Sequence, residues 1–157
     1  MTAPHASPAL PAHDLDAAIA GLRAHGLRVS AARRLVLQAL FLADGPLSAE
    51  DIAAGVDGRV PPSDLGSTYR NLETLEQIGL VRHFHLGHGP GLYALASRAS
   101  HEYLVCELCH SARAVHPREL DAVRNAIRDA FGHVASFSHF PIVGLCAACS
   151  EGAGAPG

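Results

Sequence analysis

The chain has 157 residues, a length typical of one medium-sized domain or two small ones. All twelve basic residues are arginine, and fifteen acidic residues bring the formal net charge to −3. The segment from Asp14 to Leu80 holds six arginines against nine acidic residues, which excludes a domain that binds nucleic acid by bulk positive charge. No run of 18 apolar residues is present, so no membrane-spanning helix is expected.

Residues 1–13 are rich in proline and alanine and have neither the basic start nor the apolar centre of a secretory signal. We predict a disordered lead there and a disordered tail over residues 151–157. Between them we expect one domain at residues 14–96 and a second at residues 97–150. A cytoplasmic location is the expectation, and paired cysteines in that compartment are more often metal ligands than disulfides.

Four helices are predicted in the first domain from capping residues and the helical spacing of apolar side chains. They cover residues 14–25, a stretch from Ser30 to about Gly45, a short stretch from Ser48, and a stretch from Ser63 or Asp64 to about Ile78. The fourth helix has one apolar face and one face of hydrogen-bonding groups. Two strand-like runs follow at residues 80–86 and 92–95, joined by a glycine-rich turn. This order of elements predicts a winged helix-turn-helix domain.

The second domain is predicted to be a small α/β unit. Strand-like runs occupy residues 103–106, 112–115 and 134–143, and a helix with an apolar stripe covers residues 117–131. The predicted fold class is therefore α+β, with an N-terminal winged helix-turn-helix domain followed by a small α/β domain.

Two Cys-x-x-Cys pairs are the strongest chemical signal, and their members are Cys106, Cys109, Cys146 and Cys149. Four thiolates suit a tetrahedral zinc, and a closed shell of four sulfurs leaves no position for water, so the zinc would be structural. Such a site contributes folding free energy to a domain with a thin core. Free buried thiols or a redox switch remain the alternative.

Several motifs, in this order along residues 14–150, resemble the ferric uptake regulator family. They are Arg28-Val29-Ser30-x-x-Arg33-x-x-Val36-Leu37, Leu47-Ser48-Ala49-Glu50-Asp51-Ile52, Ser67-Thr68-Tyr69-Arg70-Asn71-Leu72, Gly79-Leu80-Val81, His101-Glu102-Tyr103-Leu104-Val105-Cys106-x-x-Cys109 and Gly144-x-Cys146-x-x-Cys149. The resemblance implies a metal-responsive DNA-binding repressor that binds a palindromic operator as a homodimer. It also implies that the second domain, with its four-cysteine zinc site, is the dimerisation domain.

Within that family the chain is most similar to nickel uptake regulators, through the His83-x-His85 run and through His139 ahead of the second cysteine pair. The resemblance implies that these three histidines form a nickel-sensing site at the domain junction. Residues two apart on a strand point the same way, so His83 and His85 should share a side while Phe84 and Leu86 face the winged-helix core. Imidazole suits Ni, Zn, Cu and Fe(II) alike, and a zinc, iron or peroxide sensor of the same family stays open.

The family's second regulatory site uses a histidine-rich run before the first cysteine pair, and most of those histidines are replaced here. His101, Glu102 and Asp121 remain, and we expect each to be a surface or packing residue rather than a ligand. His88, in the glycine-rich turn, is a possible fourth ligand of the sensing site. A zinc hydrolase is a further alternative because His-x-His strands build catalytic sites, but no H-E-x-x-H pattern supports it, and we expect no enzyme.

The fourth helix is expected to lie in the major groove of double-stranded DNA. The candidate contacts on this helix are Ser67, Tyr69, Arg70 and Asn71. The arginines expected to contact the DNA backbone are Arg28, Arg33 and Arg34. A tyrosine ring edge can pack on a thymine methyl, although Tyr69 also falls on the apolar stripe of the helix. With so little positive charge, affinity should depend on dimerisation and on the spacing of the two reading helices.

Overall fold

The computed structural model describes residue 10, residues 12–87 and residues 89–153. These residues fall into two compact units. The first holds residues up to His83 together with Gly91–Ala99, and the second holds Phe84–Pro90 and the residues from Ser100 onward. His88 and most of the predicted disordered lead and tail lie outside the described residues. Within the described chain, no helix has the length and apolar character needed to cross a membrane.

Four helices build the first unit, and each begins at a side-chain cap. They are α1 (Leu15–Ala24), α2 (Ala31–Leu42), α3 (Ala49–Ala54) and α4 (Leu65–Gln77). Asp14, Ser30 and Asp64 each accept a hydrogen bond from a backbone N–H in the first turn of α1, α2 and α4. Ser48 and Asp51 form a reciprocal capping box at α3. These caps satisfy otherwise unpaired N–H groups, and the helix starts agree with the sequence prediction.

The core of the first unit lies between these helices and a three-stranded sheet. Leu22, Leu37, Leu72 and Leu75 are fully buried in it, and burying each such side chain contributes about 1.5–3 kcal/mol relative to exposure. The strands are β1 (Leu47–Ser48), β2 (Val81–Phe84) and β3 (Leu92–Leu95), in the spatial order β1-β3-β2. Strand β1 was not predicted because two residues are too few to show an alternating pattern.

Part of the predicted disordered lead packs onto the first unit. The backbone N–H of Leu10 donates to the Gly79 carbonyl at 3.1 Å. Ala12 is buried, and its carbonyl accepts from the Ser97 hydroxyl at 3.0 Å. Leu10 and Ala12 therefore belong to the fold, contrary to the prediction. Their backbone groups bond to distant residues, and their side chains pack in or against the core.

The second unit consists of a three-stranded sheet and two helices. Its strands are β4 (Glu102–Cys106), β5 (Ala112–Val115) and β6 (Ile142–Gly144), and its helices are α5 (Asp121–Phe131), which follows a 3₁₀ turn at Pro117–Leu120, and α6 (Ala147–Ala153). Strand β4 is central, antiparallel to β5 and parallel to β6. The predicted α+β fold class is confirmed.

Two predicted boundaries in the second unit are wrong. The sequence predicts a strand over residues 134–143, yet the strand formed there is Ile142–Gly144. A short apolar run looks the same in sequence whether or not it finds a partner strand. Helix α6 extends to Ala153, so residues 151–153 are helical rather than part of a disordered tail.

A buried ion pair joins β4 to α5. Arg124 Nη1 lies 2.8 Å from Glu102 Oε2, and the two side chains are only 19% and 8% exposed. The same guanidinium donates to the Pro117 carbonyl and lies over the ring of Phe137. Its hydrogen bond to Glu102 raises the pKa of Arg124 above the ordinary value. Glu102 is thus a packing residue, as expected from the sequence.

Replacing Arg124 with methionine should destabilise the second unit by about 3 kcal/mol, because Glu102 would keep a buried carboxylate without its cation. Urea unfolding measures the loss. Arg128→Met is the matched control, since it removes an exposed arginine one turn later in α5 and should cost less than about 0.5 kcal/mol. Equal losses in the two variants would contradict the structural role of the pair.

Candidate metal centre and nucleic-acid interface

The four cysteines converge at one end of the sheet in the second unit. Their four Sγ atoms all lie within 4.8 Å of one another, and those of Cys109 and Cys146 are 3.9 Å apart. A tetrahedral zinc with Zn–S bonds of about 2.3 Å separates its sulfurs by about 3.8 Å. All four side chains are free thiols. The cluster therefore has the ligand type and the spacing of a tetrahedral zinc site.

Strand register explains how cysteine pairs so far apart in sequence come together. Strand β6 runs parallel to β4 with Cys106 opposite Gly144, and the Glu107 N–H donates to the Gly144 carbonyl at 2.8 Å. The second cysteine pair follows directly after β6, at the same end of the sheet. The first pair is folded by a tight turn in which the His110 N–H donates to the Cys106 carbonyl at 3.0 Å. His110 has φ 61°, a left-handed conformation that tightens this turn.

Backbone amides favour an ionised thiol in the cluster. Hydrogen bonds from the backbone of Cys109 and Cys146 lower the pKa of Cys106 to about 6. The pKa of Cys109 is also lowered, first by its hydrogen bond with Ser111. In contrast, hydrogen bonding to Cys146 raises the pKa of Cys149 to about 12. Four thiolates this close require a cation, and binding one must displace the proton that Cys149 retains.

Two of the three predicted histidine ligands lie together in the second unit. The His85 backbone N–H donates to the His139 carbonyl at 2.9 Å, and the two ring centroids are 5.1 Å apart at an interplanar angle of 75°. A ring nitrogen of His85 lies within 4.8 Å of a ring nitrogen of His139. Phe140 stacks on His85 and meets His139 edge-on. The rings are half-buried and close enough to bind one ion together.

The third predicted ligand, His83, belongs to the first unit and lies near the end of β2. Its ring stacks on Tyr93, with centroids 4.5 Å apart and an interplanar angle of 5°. The prediction that Phe84 and Leu86 face the winged-helix core is wrong, because both belong to the second unit. There Phe84 stacks on Tyr103. Within β2, Val81 belongs to the core cluster of the first unit, and Phe84, three residues later, points to the opposite face. Strand β2 ends at Phe84, so the alternation predicts no face for Leu86.

The predicted reading helix α4 turns two of its four candidate side chains to solvent. Tyr69 is 42% exposed, and Arg70 is exposed with its guanidinium 4.0 Å from Asp64 at the start of the helix. Ser67 is half-buried, and its carbonyl accepts from the buried Asn71 side chain at 2.9 Å. Among the four candidates, Tyr69 and Arg70 are thus the ones exposed to a ligand.

Arg33 holds α2 and α4 together, a role that sequence reasoning did not anticipate. Its Nε donates to Asn71 Oδ1 at 3.1 Å, and its Nη1 donates to the Arg28 carbonyl at 2.8 Å. The side chain of Arg28 itself is exposed, and that of Arg34 is half-buried. Arg33 and Asn71, both predicted as DNA contacts, are therefore bonded to each other in the structure.

Glu50 of α3 is a residue of this surface that the sequence analysis missed. Its Oε1 accepts a hydrogen bond from the Tyr69 hydroxyl at 2.8 Å. This bond is the first cause of a raised pKa at Tyr69. A contact between α3 and α4 cannot be inferred from the periodicity of either helix, and only the acidic position in the first turn of α3 was visible in the sequence.

Comparison with known proteins identifies clear relatives. The profile of the ferric uptake regulator family matches residues 24–137. The peroxide operon regulator of Bacillus subtilis is 26% identical over 140 residues, which cover 89% of this chain and 96% of that protein. The ferric uptake regulator of Helicobacter pylori superposes with a TM-score of 0.65 at 19% identity, over 88% of this chain and 95% of that one. A zinc uptake regulator solved with zinc and DNA gives a TM-score of 0.56 at 21% identity, over 90% and 95% of the two chains.

Proposed function

Because this chain belongs to the ferric uptake regulator family, we propose that it is a metal-responsive, DNA-binding transcriptional repressor of the nickel-sensing type. One observation carries the proposal. The second unit holds a four-cysteine cluster and, apart from it, the pair His85 and His139. His83 lies in strand β2, two residues before His85. A chain built in this way has one candidate site for structural metal and another for sensing.

The four cysteines are proposed to hold a structural zinc. Their spacing supports this role, and so does the small core of the second unit, where large apolar side chains such as Leu108 and Leu145 are exposed. A unit with so little buried apolar surface needs another source of folding free energy. A zinc bound by four thiolates supplies it.

The proposed sensing site consists of His83, His85 and His139. His83 is two residues from His85, so the chain itself keeps their Cα atoms within about 7 Å. Three imidazoles with open positions suit nickel in a tetragonal site. We propose that ion binding at these histidines is coupled to DNA binding. A hundredfold gain in DNA affinity needs only about 2.7 kcal/mol of such coupling.

A second copy of this chain is the proposed partner of the second unit. Helix α5 has a strongly apolar face, yet none of its residues is buried. Phe131 is 82% exposed, and Val134, just beyond the helix, is 74% exposed. Covering these side chains in a homodimer would pair two reading helices, as a palindromic operator in double-stranded DNA requires.

A peroxide-, iron- or zinc-responsive regulator is the second candidate. The specific observation in its favour is the similarity to the peroxide operon regulator of Bacillus subtilis along 89% of this chain. The imidazole ligands proposed here accept several divalent metals, so the fold and the ligands are compatible with either function.

Metal-dependent DNA binding distinguishes these candidates. The full-length protein, with zinc at the cysteines verified by metal analysis, is titrated with Ni(II), Zn(II), Mn(II) or Fe(II) and with duplexes selected from a random pool. We expect Ni(II) to raise the affinity for a selected duplex about a hundredfold. The second candidate would be favoured if Zn(II) but not Ni(II) raised the affinity for the duplex. It would also be favoured if peroxide treatment of the Fe(II) form abolished DNA binding. Metal-independent binding would contradict both.

A further inference from the structure

A hydrogen bond between α3 and α4 holds the side chain of Tyr69, one of the proposed DNA contacts. The Tyr69 hydroxyl donates to Glu50 Oε1 at 2.8 Å, and both residues are exposed. Glu50 occupies the second position of α3, whose start is held by the capping box between Ser48 and Asp51. The acceptor therefore stands on a fixed helix turn rather than on a mobile loop.

We propose that Glu50 is a positioning residue for DNA recognition, which accepts the hydrogen bond of the Tyr69 hydroxyl so that Tyr69 meets the bases with its ring rather than as a hydrogen-bond donor. This inference rests on the proposed DNA-binding function and extends it to a residue that contacts no base. Arg33 of α2 likewise donates a hydrogen bond to Asn71 of α4. Side chains of α4 are thus held by hydrogen bonds from both α2 and α3.

The chemistry of the pair explains why this arrangement favours selective binding. A free tyrosine hydroxyl is both donor and acceptor and can bond with the edge of any base. A hydroxyl that donates its only proton to a carboxylate has no donor left for the acceptor atoms of the bases, so the apolar ring gains weight in recognition, and a ring distinguishes a thymine methyl from other groups in the major groove. The Glu50 charge also repels phosphates of every sequence. The charge thereby lowers the affinity for selected and random DNA alike, whereas the hydrogen bond determines the preference between them.

Variants of both partners separate the hydrogen bond from the charge. Glu50→Ala removes both, Glu50→Gln keeps an acceptor without the charge, and Tyr69→Phe keeps the ring without the hydroxyl. The probes are a duplex selected by the metal-loaded wild-type protein and a duplex of random sequence. Asp16→Ala is the matched control because Asp16 occupies the same second position in α1.

We expect Glu50→Ala to lower the ratio of selected to random affinity about three- to tenfold, the effect of one hydrogen bond. Glu50→Gln should raise both affinities and keep the ratio within about twofold of the wild-type ratio. The double variant of Glu50→Ala and Tyr69→Phe should be no worse than either single variant, and Asp16→Ala should leave the ratio unchanged. Thermal unfolding verifies that each variant is folded.

Two outcomes would overturn the inference. Either Glu50→Ala leaves the ratio at the wild-type value, or the effects of Glu50→Ala and Tyr69→Phe add, as they do for residues that act separately. Both are distinct from failure of the proposed function, in which the metal-loaded wild-type protein selects no duplex at all. The experiment therefore tests the positioning role separately from DNA binding itself.

Discussion

Replacing Cys106 with serine should unfold the second unit and abolish zinc binding at the cysteine cluster. Cys106 is the buried member of the four, and it ends the central strand β4. Loss of one thiolate opens the shell, and structural zinc sites of this type contribute on the order of 10 kcal/mol to folding. The zinc content should fall from one per chain to none, and the backbone amides of β4, β5 and β6 should lose their protection from hydrogen exchange.

The first unit serves as the internal control for this experiment. Its core cluster consists of its own helices and strands, so protection of buried residues in α2 and α4 should persist in Cys106→Ser. His133→Ala, which removes an exposed histidine from the second unit, should retain zinc and stability. A Cys106→Ser protein that binds zinc and unfolds like the wild type would show that the cluster is not a structural metal site.

Replacing His139 with alanine should abolish the metal-dependent part of DNA binding while leaving the zinc in place. The variant loses one proposed ligand but keeps the backbone bond from the His85 N–H to the carbonyl of residue 139, so the local fold should survive. In the wild-type protein nickel should raise the DNA affinity about a hundredfold, and in His139→Ala it should leave the affinity unchanged. The difference corresponds to a loss of about 2.7 kcal/mol of coupling. Titration of a selected duplex with and without nickel measures it.

His85→Ala should give the same result, and combining it with His139→Ala should cause no further loss, because either variant already disrupts the site. His133→Ala again provides the matched histidine control. A His139→Ala protein whose DNA affinity still rises a hundredfold with nickel would exclude this histidine from the sensing site. Zinc content at the cysteines must stay at one per chain for the comparison to hold.

Helix starts and the cysteine cluster were predictable because their determinants are local. Asp14, Ser30 and Asp64 were read as caps or helix starts from residue type and position alone, and each makes its capping bond. The cysteine pairs were read from their spacing, and the four thiols do converge. In each case a strong preference of one residue type is enough to decide the local structure.

Contacts between elements were not predictable in this way. The bonds of Arg33 to Asn71 and of Tyr69 to Glu50 join residues on different helices, and they depend on how the helices pack. Phe84 was assigned to the winged-helix core because it alternates with His83 and His85, whereas Val81 is a β2 residue that belongs to that core, and β2 ends at residue 84. Periodicity gives the face of an element, but it does not give the element's partner or its last residue.

The segment that precedes α1 is hydrogen-bonded to the turn after α4. Leu10 binds the carbonyl of Gly79, directly after the turn that closes α4, and Ala12 binds Ser97, just past β3. Loss of Leu10 and Ala12 would take these hydrogen-bond partners from the Gly79 carbonyl and the Ser97 hydroxyl. The turn after α4 and the end of β3 are thus held in part by residues that precede the first helix of the chain.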